Sequence, residues 1–339
     1  MGTLSNQYPT LADLSKRMDD KGDIVDIIEI LNETNPILKD MPFFECNQGT
    51  KHLTSIRSGL PKATWRRLYQ GVQPQKGTVT QVEDTTGMLE QWSEIDAKLV
   101  DISNNPNRFR MGEGMAAIEG MNNDMATGVF YANLESDPEQ IGGLSGRFND
   151  LNADNASQII DGGGTGSNNT SIWLIVWSER TVHGIYPKGT QAGIQREDKG
   201  KTTKDMVDGS VMDVYREKFN WDCGVSVRDW RYVVRIANID IDDLKASNID
   251  MFRLLRKGYY ALKQRQIAGG RPAIYCNSDV LEALDAQTTP TLATSGTTTS
   301  GNVRLSTREV EGEEVMFYRK MPLRETDALI NNEARVIGL

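Results

Sequence analysis

The sequence predicts a protein of the α+β class whose subunit is extended rather than compact. Three observations support this prediction. Residues 221–241 form the longest strand-like run of the 339-residue chain, residues 111–133 carry apolar side chains at helical spacing, and residues 51–76 are basic between two acidic segments. The strand-like run is longer than one compact layer needs, and the charge of the basic segment invites an acidic partner.

The run 221–241 is interpreted as one strand, in which the alternation of apolar and polar residues slips by one position at Asp229. Such a slip is typical of a β-bulge, which bends a strand and increases its twist. We predict that Trp230 and Tyr232 share one face and anchor the strand in the core. Arg231 and Arg235 lie on the opposite face, where we expect them to meet acidic or polar neighbours. A sandwich strand in two pieces is the alternative interpretation.

The net charge of −9 argues against a protein whose main task is to hold nucleic acid by its phosphates. The same charge suits a wall that lies beside nucleic acid without adhering to it. Hydrophobic residues make up 38% of the chain and aromatic residues 7%, which is modest for a compact monomer of this length. We therefore expect neighbouring subunits in an assembly to supply part of the burial.

The cysteines and the apolar runs indicate the compartment. Cys46, Cys223 and Cys276 are an odd number at wide spacing, which is typical of reduced thiols in a cytosolic protein. The first residues contain neither a basic start nor an apolar stretch, and the longest apolar run, Ile172–Trp177, is too short to cross a bilayer. We expect a soluble protein that is made in a cytoplasm and has no membrane partner.

The first third of the chain alternates in charge. Residues 1–45 hold nine acidic and four basic residues, and we expect an acidic arm with short helices at 11–18 and 24–31. Residues 51–76 hold no Asp or Glu, and short strands are predicted at 52–60 and 64–69. Six acidic residues and one Lys follow at 83–101. We expect the basic segment to be a hairpin-like excursion that meets an acidic surface, such as 83–101 or the arm of an adjacent subunit. A solvated loop is the alternative.

The remaining elements follow from periodicity and turn residues. A long helix is predicted from an apolar stripe that we expect to be core: Met111, Met115, Ile118, Met121, Met125 and Val129. An exposed hairpin is expected up to about Gly209, and a low-complexity loop tip at 288–302. A helix at 251–267 carries basic residues that no acidic residue opposes: Arg253, Arg256, Lys257, Lys263 and Arg265.

No pattern in the sequence is typical of catalysis, so we predict no enzyme and no catalytic, cofactor-binding or metal-binding residues. The two histidines, His52 and His183, have no metal ligand at suitable spacing. The glycines at 162–166 precede a strand, whereas a phosphate loop requires a Lys and then a helix. The segments 64–69 and 251–265 combine basic and aromatic residues as nucleic-acid sites do, but the acidic chain favours a use in subunit contacts.

Four segments carry a resemblance to a known family. They are GLPKATWRRLYQGVQPQK (Gly59–Lys76), IIDGGGTGSNNTSIWLIVW (Ile159–Trp177), HGIYPKG (His183–Gly189) and CGVSVRDWRYVVRIANID (Cys223–Asp240). Together they resemble, in the same order and over nearly the entire chain, the major capsid proteins of tailed double-stranded DNA bacteriophages with the Hong Kong 97-type fold. The similarity is greatest to short-tailed phages of the epsilon type.

The resemblance implies an N-terminal arm at 1–45, an extended E-loop region at 46–101, and a peripheral domain with a spine helix at 102–170. It also implies an axial domain at 171–339, whose long strand 221–241 returns to the peripheral domain. We expect the E-loop to contact a neighbouring subunit through Arg57, Lys62, Trp65, Arg66, Arg67 and Lys76.

The resemblance also implies self-assembly into the hexamers and pentamers of an icosahedral head that encloses double-stranded DNA. The implied partners are a portal, a separate scaffolding protein and a decoration or stapling protein. The implied location is the virion, after assembly in the cytoplasm of a host bacterium. An encapsulin-type compartment shell, which shares the fold, is the alternative.

Overall fold

The computed structural model describes residues 35–103, 106–206, 209–262, 265, 267–288, 305–310 and 313–338. The helices expected at 11–18 and 24–31, and nearly all of the loop expected at 288–302, lie outside the described residues. Within the described residues, no helix has the length and hydrophobicity that crossing a bilayer requires.

The described chain alternates short helices with strands. The helices are α1 (Ile37–Asp40), α2 (Ala97–Ile102), α3 (Pro106–Tyr131), α4 (Leu144–Arg147), α5 (Ile241–Lys245), α6 (Met251–Ala261) and α7 (Ser278–Thr288). The strands are β1 (Phe43–Glu45), β2 (Lys51–Gly59), β3 (Thr78–Thr85), β4 (Gly87–Asp96), β5 (Ile159–Asp161), β6 (Asn169–Trp177), β7 (Val182–Tyr186), β8 (Gln195–Asp205), β9 (Val211–Val227), β10 (Val233–Asp240), β11 (Arg271–Cys276), β12 (Leu305–Val310), β13 (Glu313–Tyr318) and β14 (Met321–Glu325).

Most strands of the described chain join one twelve-stranded sheet. Its order is β12-β13-β14-β11-β6-β7-β9-β4, with β10 beside β6, β5 beside β10, β1 beside β7, and β8 beside β9. The stretch expected to form an exposed hairpin up to about Gly209 contains only the first strand of one, β8, whose antiparallel partner β9 begins after it, at Val211. The strands β2 and β3 form a separate two-stranded sheet.

The central strand β6 is buried along its whole length. Its alternate side chains enter two hydrophobic clusters: Trp173, Ile175 and Trp177 face the cluster that contains α3, and Ile172, Leu174 and Val176 face the cluster that contains α6 and α7. Successive side chains of a strand point to opposite faces, so a strand with helices on both faces needs a continuous apolar sequence. The core is therefore a sheet between two helical layers.

The prediction of one strand over 221–241, bent by a bulge at Asp229, is wrong. The strand β9 begins earlier, at Val211, and ends at Val227, and a short 3₁₀ turn at Trp230–Tyr232 precedes β10. The chain changes neighbours across this turn, because β9 pairs with β4, β7 and β8 whereas β10 pairs with β5 and β6. The carboxylate of Asp229 accepts a hydrogen bond from the backbone N–H of Arg231 (3.0 Å) and so caps the turn.

The turn also changes where the predicted anchors lie. Tyr232 is buried with the cluster that contains α6. Trp230 is half-buried and packs against the other cluster, so the expectation that these two rings share one face is wrong. Arg231 is exposed and forms an ion pair with Asp229 (2.6 Å). A 3₁₀ turn does not continue the alternation of a strand, which explains the exchange of faces.

The long helix α3 confirms the predicted helix but not all of its stripe. Met121, Met125 and Val129 are buried, whereas Met111 and Met115 are 62% and 51% exposed. In this first half of the helix, Gly114 faces the sheet, and a Cβ added at Gly114 would lie 3.2 Å from the ring of Phe219. Small residues let Phe219 come close, and the methionines are turned towards solvent.

Arg235 lies in a buried polar network that joins distant parts of the chain. Its guanidinium is 2.8 Å from the carboxylate of Glu333 and donates to the Ser171 hydroxyl (3.1 Å) and the Phe148 carbonyl (2.9 Å). The Glu333 carboxylate also accepts a hydrogen bond from Tyr131, at the end of α3. The side chains of Arg235 and Glu333 are each 4% exposed. The network ties the C-terminal segment to β6, β10 and α3.

We predict that Arg235→Met lowers the free energy of unfolding by about 3–5 kcal/mol, because it leaves the Glu333 carboxylate buried without its cation. The double variant Arg235→Met/Glu333→Leu should recover most of this loss, since it removes both charges. Urea unfolding of the subunit gives both values. Arg231→Met, which removes an exposed ion pair, is the matched control and should cost less than about 1 kcal/mol. Equal losses in the two single variants would contradict the prediction.

The β2–β3 hairpin is rooted in the body by buried polar side chains. Asp84 on β3 is 2% exposed, and its carboxylate forms an ion pair with Arg147 (2.7 Å) and accepts a hydrogen bond from Ser226 of β9 (2.8 Å). The partners come from the segment after α3 and from the main sheet. The base of the hairpin is therefore fixed from two sides.

A pair of histidines completes this root. His52, opposite Asp84 in the register of β2 and β3, accepts a hydrogen bond from Arg228 through Nε2 (2.9 Å), because a guanidinium can only donate. Its ring packs edge-on against buried His183 of β7, with centroids 5.5 Å apart. Burial lowers the pKa of His183 to about 3, and Arg228 and His52 add to the effect. The pKa of His52 is also lowered, mainly by burial and to a lesser extent by the positive charge of Arg228.

We predict that acid destabilises the subunit through His183. The unfolded chain takes up a proton near pH 6.5, which the folded chain does not accept until pH about 3. The contribution of the neutral ring is complete above pH 6.5 and declines as the pH falls, by about 1.4 kcal/mol per pH unit for one proton. His183→Gln should therefore reduce the slope of the unfolding free energy against pH between 6.5 and 5, measured by urea unfolding. The variant keeps every carboxylate, so identical slopes in variant and wild type would refute the assignment.

Candidate functional site

The most exposed part of the described chain is the hairpin tip, residues 60–77, which joins β2 to β3. The strands pair from Lys51 opposite Thr85 to Gly59 opposite Thr78, and their outer halves lie away from the main sheet. The tip has no regular structure except one turn, at which the backbone N–H of Gln70 donates to the carbonyl of Arg67 (3.2 Å). The excursion predicted for the basic segment is thus a true hairpin.

The prediction of a strand at 64–69 is wrong. These residues are irregular, and Tyr69 has a φ of 61° in the turn. The Nε of Arg66 donates to the carbonyl of Gln70 (3.0 Å) and holds the turn. Aromatic residues favour strands only where a partner strand and a packing face are available, and within the described chain neither is present here.

The tip exposes large apolar side chains next to cations. Trp65 is 100% exposed, Tyr69 101% and Leu68 88%. Within the described residues, no carboxylate forms an ion pair with the cations of the tip, which are Lys62, Arg66, Arg67 and Lys76. Arg57 lies in β2 opposite Val79. Trp65 and its neighbours form an apolar and basic surface that no described residue of the subunit covers.

The acidic segment 83–101, expected to receive such a surface, is largely occupied within its own subunit. Glu83 pairs with Lys51, and Asp84 pairs with Arg147. On β4, Glu90 pairs with Lys218 (2.7 Å), and Glu94 pairs with Arg216 (2.6 Å) and Lys204. Asp96 caps α2 by accepting from the N–H of Lys98 (2.7 Å). Glu90 and Glu94 stabilise the β8–β9–β4 ladder. Because all five carboxylates have partners in their own subunit, they are poor candidates for the partner of the tip.

A groove of about 470 Å³ lies between α3 and the strands β4 and β9. Its floor is apolar and contains Leu89, Met125 and Trp221, and Met88 at its edge is 83% exposed. Its other lining residues are Gly87, Asp124, Thr127, Gly128, Tyr131, Ala132, Glu139, Gln140, Ile141 and Cys223. The exposed carboxylates among them, Asp124 and Glu139, give the apolar groove an acidic rim.

The described residues contain neither a metal-ligand cluster nor an exposed thiol. Within this part of the chain, no group of three His, Cys, Asp or Glu residues is placed to hold a metal ion. The thiols of Cys46, Cys223 and Cys276 are buried, and burial raises the pKa of all three, that of Cys46 to about 11. The thiolate is the reactive form, so these cysteines are inert at neutral pH.

The sequence predicted the exposed cations of the tip, but it did not predict the buried side chains that fix the base of the hairpin. The contacts of Asp84 with Arg147 and Ser226, and of His52 with Arg228, join residues 63 to 176 positions apart, and no spacing rule connects them. The one available signal was the polar residue Ser226 within 223–227, the otherwise apolar end of β9.

Comparison with known proteins gives the family. The family model described as Major capsid protein GP7 matches residues 19–337. A chain in the structure of bacteriophage Epsilon15 is 31% identical, with a TM-score of 0.75 and 100% of both chains covered. No curated protein gives a significant sequence match.

More distant structures are also similar. The capsid of bacteriophage JBD30 is 12% identical, with a TM-score of 0.46, over 77% of this chain and 85% of that chain. The SrpI encapsulin of Synechococcus elongatus is 10% identical, with a TM-score of 0.45, over 68% of this chain and 97% of that chain.

The full-length match at 31% identity favours a phage shell over the compartment shell that was the alternative. The expected α+β fold of the Hong Kong 97 type is confirmed by the same match. Since the family model covers almost all of the chain, this protein belongs to the GP7 family of major capsid proteins and is a structural protein of an epsilon-like phage capsid, not an enzyme.

Proposed function

We propose that the chain assembles with copies of itself into the hexamers and pentamers of an icosahedral head that encloses double-stranded DNA. The observation that carries this proposal is the hairpin tip, whose Trp65 and Tyr69 are fully exposed while the base of the same hairpin is fixed by buried side chains. Large exposed apolar surfaces on a soluble subunit mark sites of association. A rigid base with an uncovered end is the form expected of an arm that lies on a neighbour.

The arrangement of the head follows the family. Residues 1–45 serve as the N-terminal arm, 46–101 as the E-loop region, 102–170 as the peripheral domain with its spine helix, and 171–339 as the axial domain. A portal, a scaffolding protein and a decoration or stapling protein are the further partners, and assembly takes place in the cytoplasm of the host bacterium. Family membership supports these assignments.

The receiving surface on the neighbour is the groove between α3 and β4. The tip cannot fill the groove of its own subunit, because Gly87 and Leu89 of the groove follow directly on the base of the hairpin. The paired strands separate base from tip by about 26 Å, at ~3.3 Å per residue. The tip must therefore reach a second copy.

The chemistry of the tip and the groove is complementary. Trp65 and Leu68 offer apolar side chains to a floor that contains Leu89 and Met125, and a buried aromatic ring removes roughly 150–250 Å² from water. The cations of the tip meet the acidic rim of the groove, where opposite charges favour the correct register. The acidic arm, residues 1–45, has the wrong charge for this rim.

We predict that Trp65→Ser/Leu68→Ser abolishes shell assembly but leaves the subunit stable. Both side chains are exposed in the free subunit, so the free energy of unfolding should change by less than about 0.5 kcal/mol. Sedimentation and negative-stain microscopy report assembly, and urea unfolding reports stability. Val211→Ser, at another exposed apolar position, is the control and should assemble normally. Normal shells from the double variant would refute the role of the tip.

Charge reversal tests the same contact independently. We predict that Arg66→Glu/Arg67→Glu prevents closed shells while the subunit stays soluble, because like charges then face each other at the rim. Arg180→Glu/Lys188→Glu, an equal change at exposed cations elsewhere, should still assemble.

The groove is tested by the reciprocal change. Asp124→Lys/Glu139→Lys should also block assembly when the tip is unchanged. Shells should return, at least in part, when the reversed tip and the reversed groove are combined in one chain. Failure of the combination, with each half folded, would show that the tip binds elsewhere. Intact shells from the reversed tip alone would overturn the proposal.

A further inference from the structure

The exposed face of α6 carries only cations and one tyrosine. Arg253, Arg256, Lys257 and Tyr260 are exposed and recur at the spacing of one helical stripe. The opposite face packs into the hydrophobic cluster beneath the sheet. The stripe is about 10 Å long at 1.5 Å per residue.

Two further arginines converge on the end of this stripe. The guanidinium carbons of Arg265 and Arg319 each lie 4.5 Å from the ring centroid of Tyr259, and 5.2 and 5.1 Å from that of Tyr260. Arg265 is held by hydrogen bonds from Nη1 to the carbonyls of Tyr259 (2.7 Å) and Leu262 (3.0 Å). Arg319 donates to the Tyr260 hydroxyl (3.2 Å). The two positive groups therefore share one pair of rings.

These cations differ from those of the β8–β9–β4 ladder, which have carboxylate partners. On the β8–β9–β4 ladder, Arg196, Lys204 and Arg216 each form an ion pair with an acidic side chain. Among the described residues, no carboxylate forms an ion pair with Arg253, Arg256, Lys257, Arg265, Arg319 or Lys320. Six cations of this surface thus have no ion-pair partner among the described residues, and like charges so placed favour an anion from outside.

The surface lacks what a protein partner would require. The core of a protein interface is apolar, whereas Tyr260, at 59% exposure, is the one exposed large hydrophobic residue in the described part of 251–325. Guanidinium groups match phosphate geometry, and basic surfaces with aromatic rings are typical of nucleic-acid sites. The hairpin tip differs from this surface because it exposes three large apolar side chains, Trp65, Leu68 and Tyr69.

We propose that the arginine–tyrosine patch binds the phosphate backbone of nucleic acid; its members are Arg253, Arg256, Lys257, Tyr260, Arg265, Arg319 and Lys320. The proposal rests on the proposed function only because a DNA-filled head supplies the ligand. With a net charge of −9, binding is weak and sensitive to salt, which lets packaged DNA move along the wall.

The test measures binding, not assembly. Unassembled full-length subunits, separated by size exclusion, are titrated into fluorescein-labelled 30-base-pair DNA at several salt concentrations, and anisotropy is followed. Arg256→Gln/Lys257→Gln should weaken binding by about tenfold at low salt and reduce the slope of log K against log salt by about 1.8, at ~0.9 per lost phosphate contact. Arg319→Gln should add to both effects.

The matched control is Arg180→Gln/Lys188→Gln, which removes the same charge from another exposed surface. It should change binding by less than twofold, and all variants should keep the wild-type thermal midpoint. Equal losses in patch and control variants, or no binding by the wild type in 50 mM salt, would overturn the proposal. Equal affinity for polyglutamate would assign the patch to an acidic protein surface instead. Shell formation by the patch variants is scored separately, so failure of this site is distinguishable from failure of assembly.

Discussion

The pairing of one 17-residue strand, β9, organises the subunit. Its first part lies between β4 and β8, and its last residues pair with β7, so β9 connects the charged ladder to the buried centre of the sheet. The crossing is tight at Gly224, where an added Cβ would lie 2.5 Å from the Thr85 carbonyl. Any other residue there would push away the end of β3, and with it the hairpin. The position of the tip therefore depends on the packing along β9, although the tip itself touches none of it.

Ion pairing divides the surface of this acidic chain into two kinds of region. Along β4, β8 and β9, cations and carboxylates alternate across the strands and neutralise one another, as in the pairs of Glu94 with Arg216 (2.6 Å) and of Glu217 with Arg196 (2.7 Å). The hairpin tip and the arginine–tyrosine patch leave their cations without carboxylates in the described chain. They differ in their apolar content, and this difference separates a surface that suits a second subunit from one that suits a phosphate backbone.

Sequence patterns were sufficient where one physical rule decides the outcome. The continuous apolar run of β6 and the helical spacing of α3 each gave the right element, and the four quoted segments gave the right family. The end of β9 could not be predicted, because a bulge and a 3₁₀ turn at Asp229 produce the same slip in alternation. The side of α3 that faces the sheet near its start is marked by the contact of Gly114 with Phe219, more than 100 positions away, and the pairing of Arg235 with Glu333 joins residues 98 apart. Local periodicity carries no information about such contacts.

Because the exposed tip is separate from the buried base, substitutions in the tip can alter contacts between subunits without altering the fold. Residues 60–77 are almost entirely exposed in their own subunit, whereas Asp84, His52 and Gly224 are packed tightly at the base of the hairpin. The strength of a contact between subunits is thus adjustable at the tip without loss of folded protein. Such adjustment matters for a closed particle made from many copies, because many weak and reversible contacts allow a misplaced subunit to leave before the shell closes.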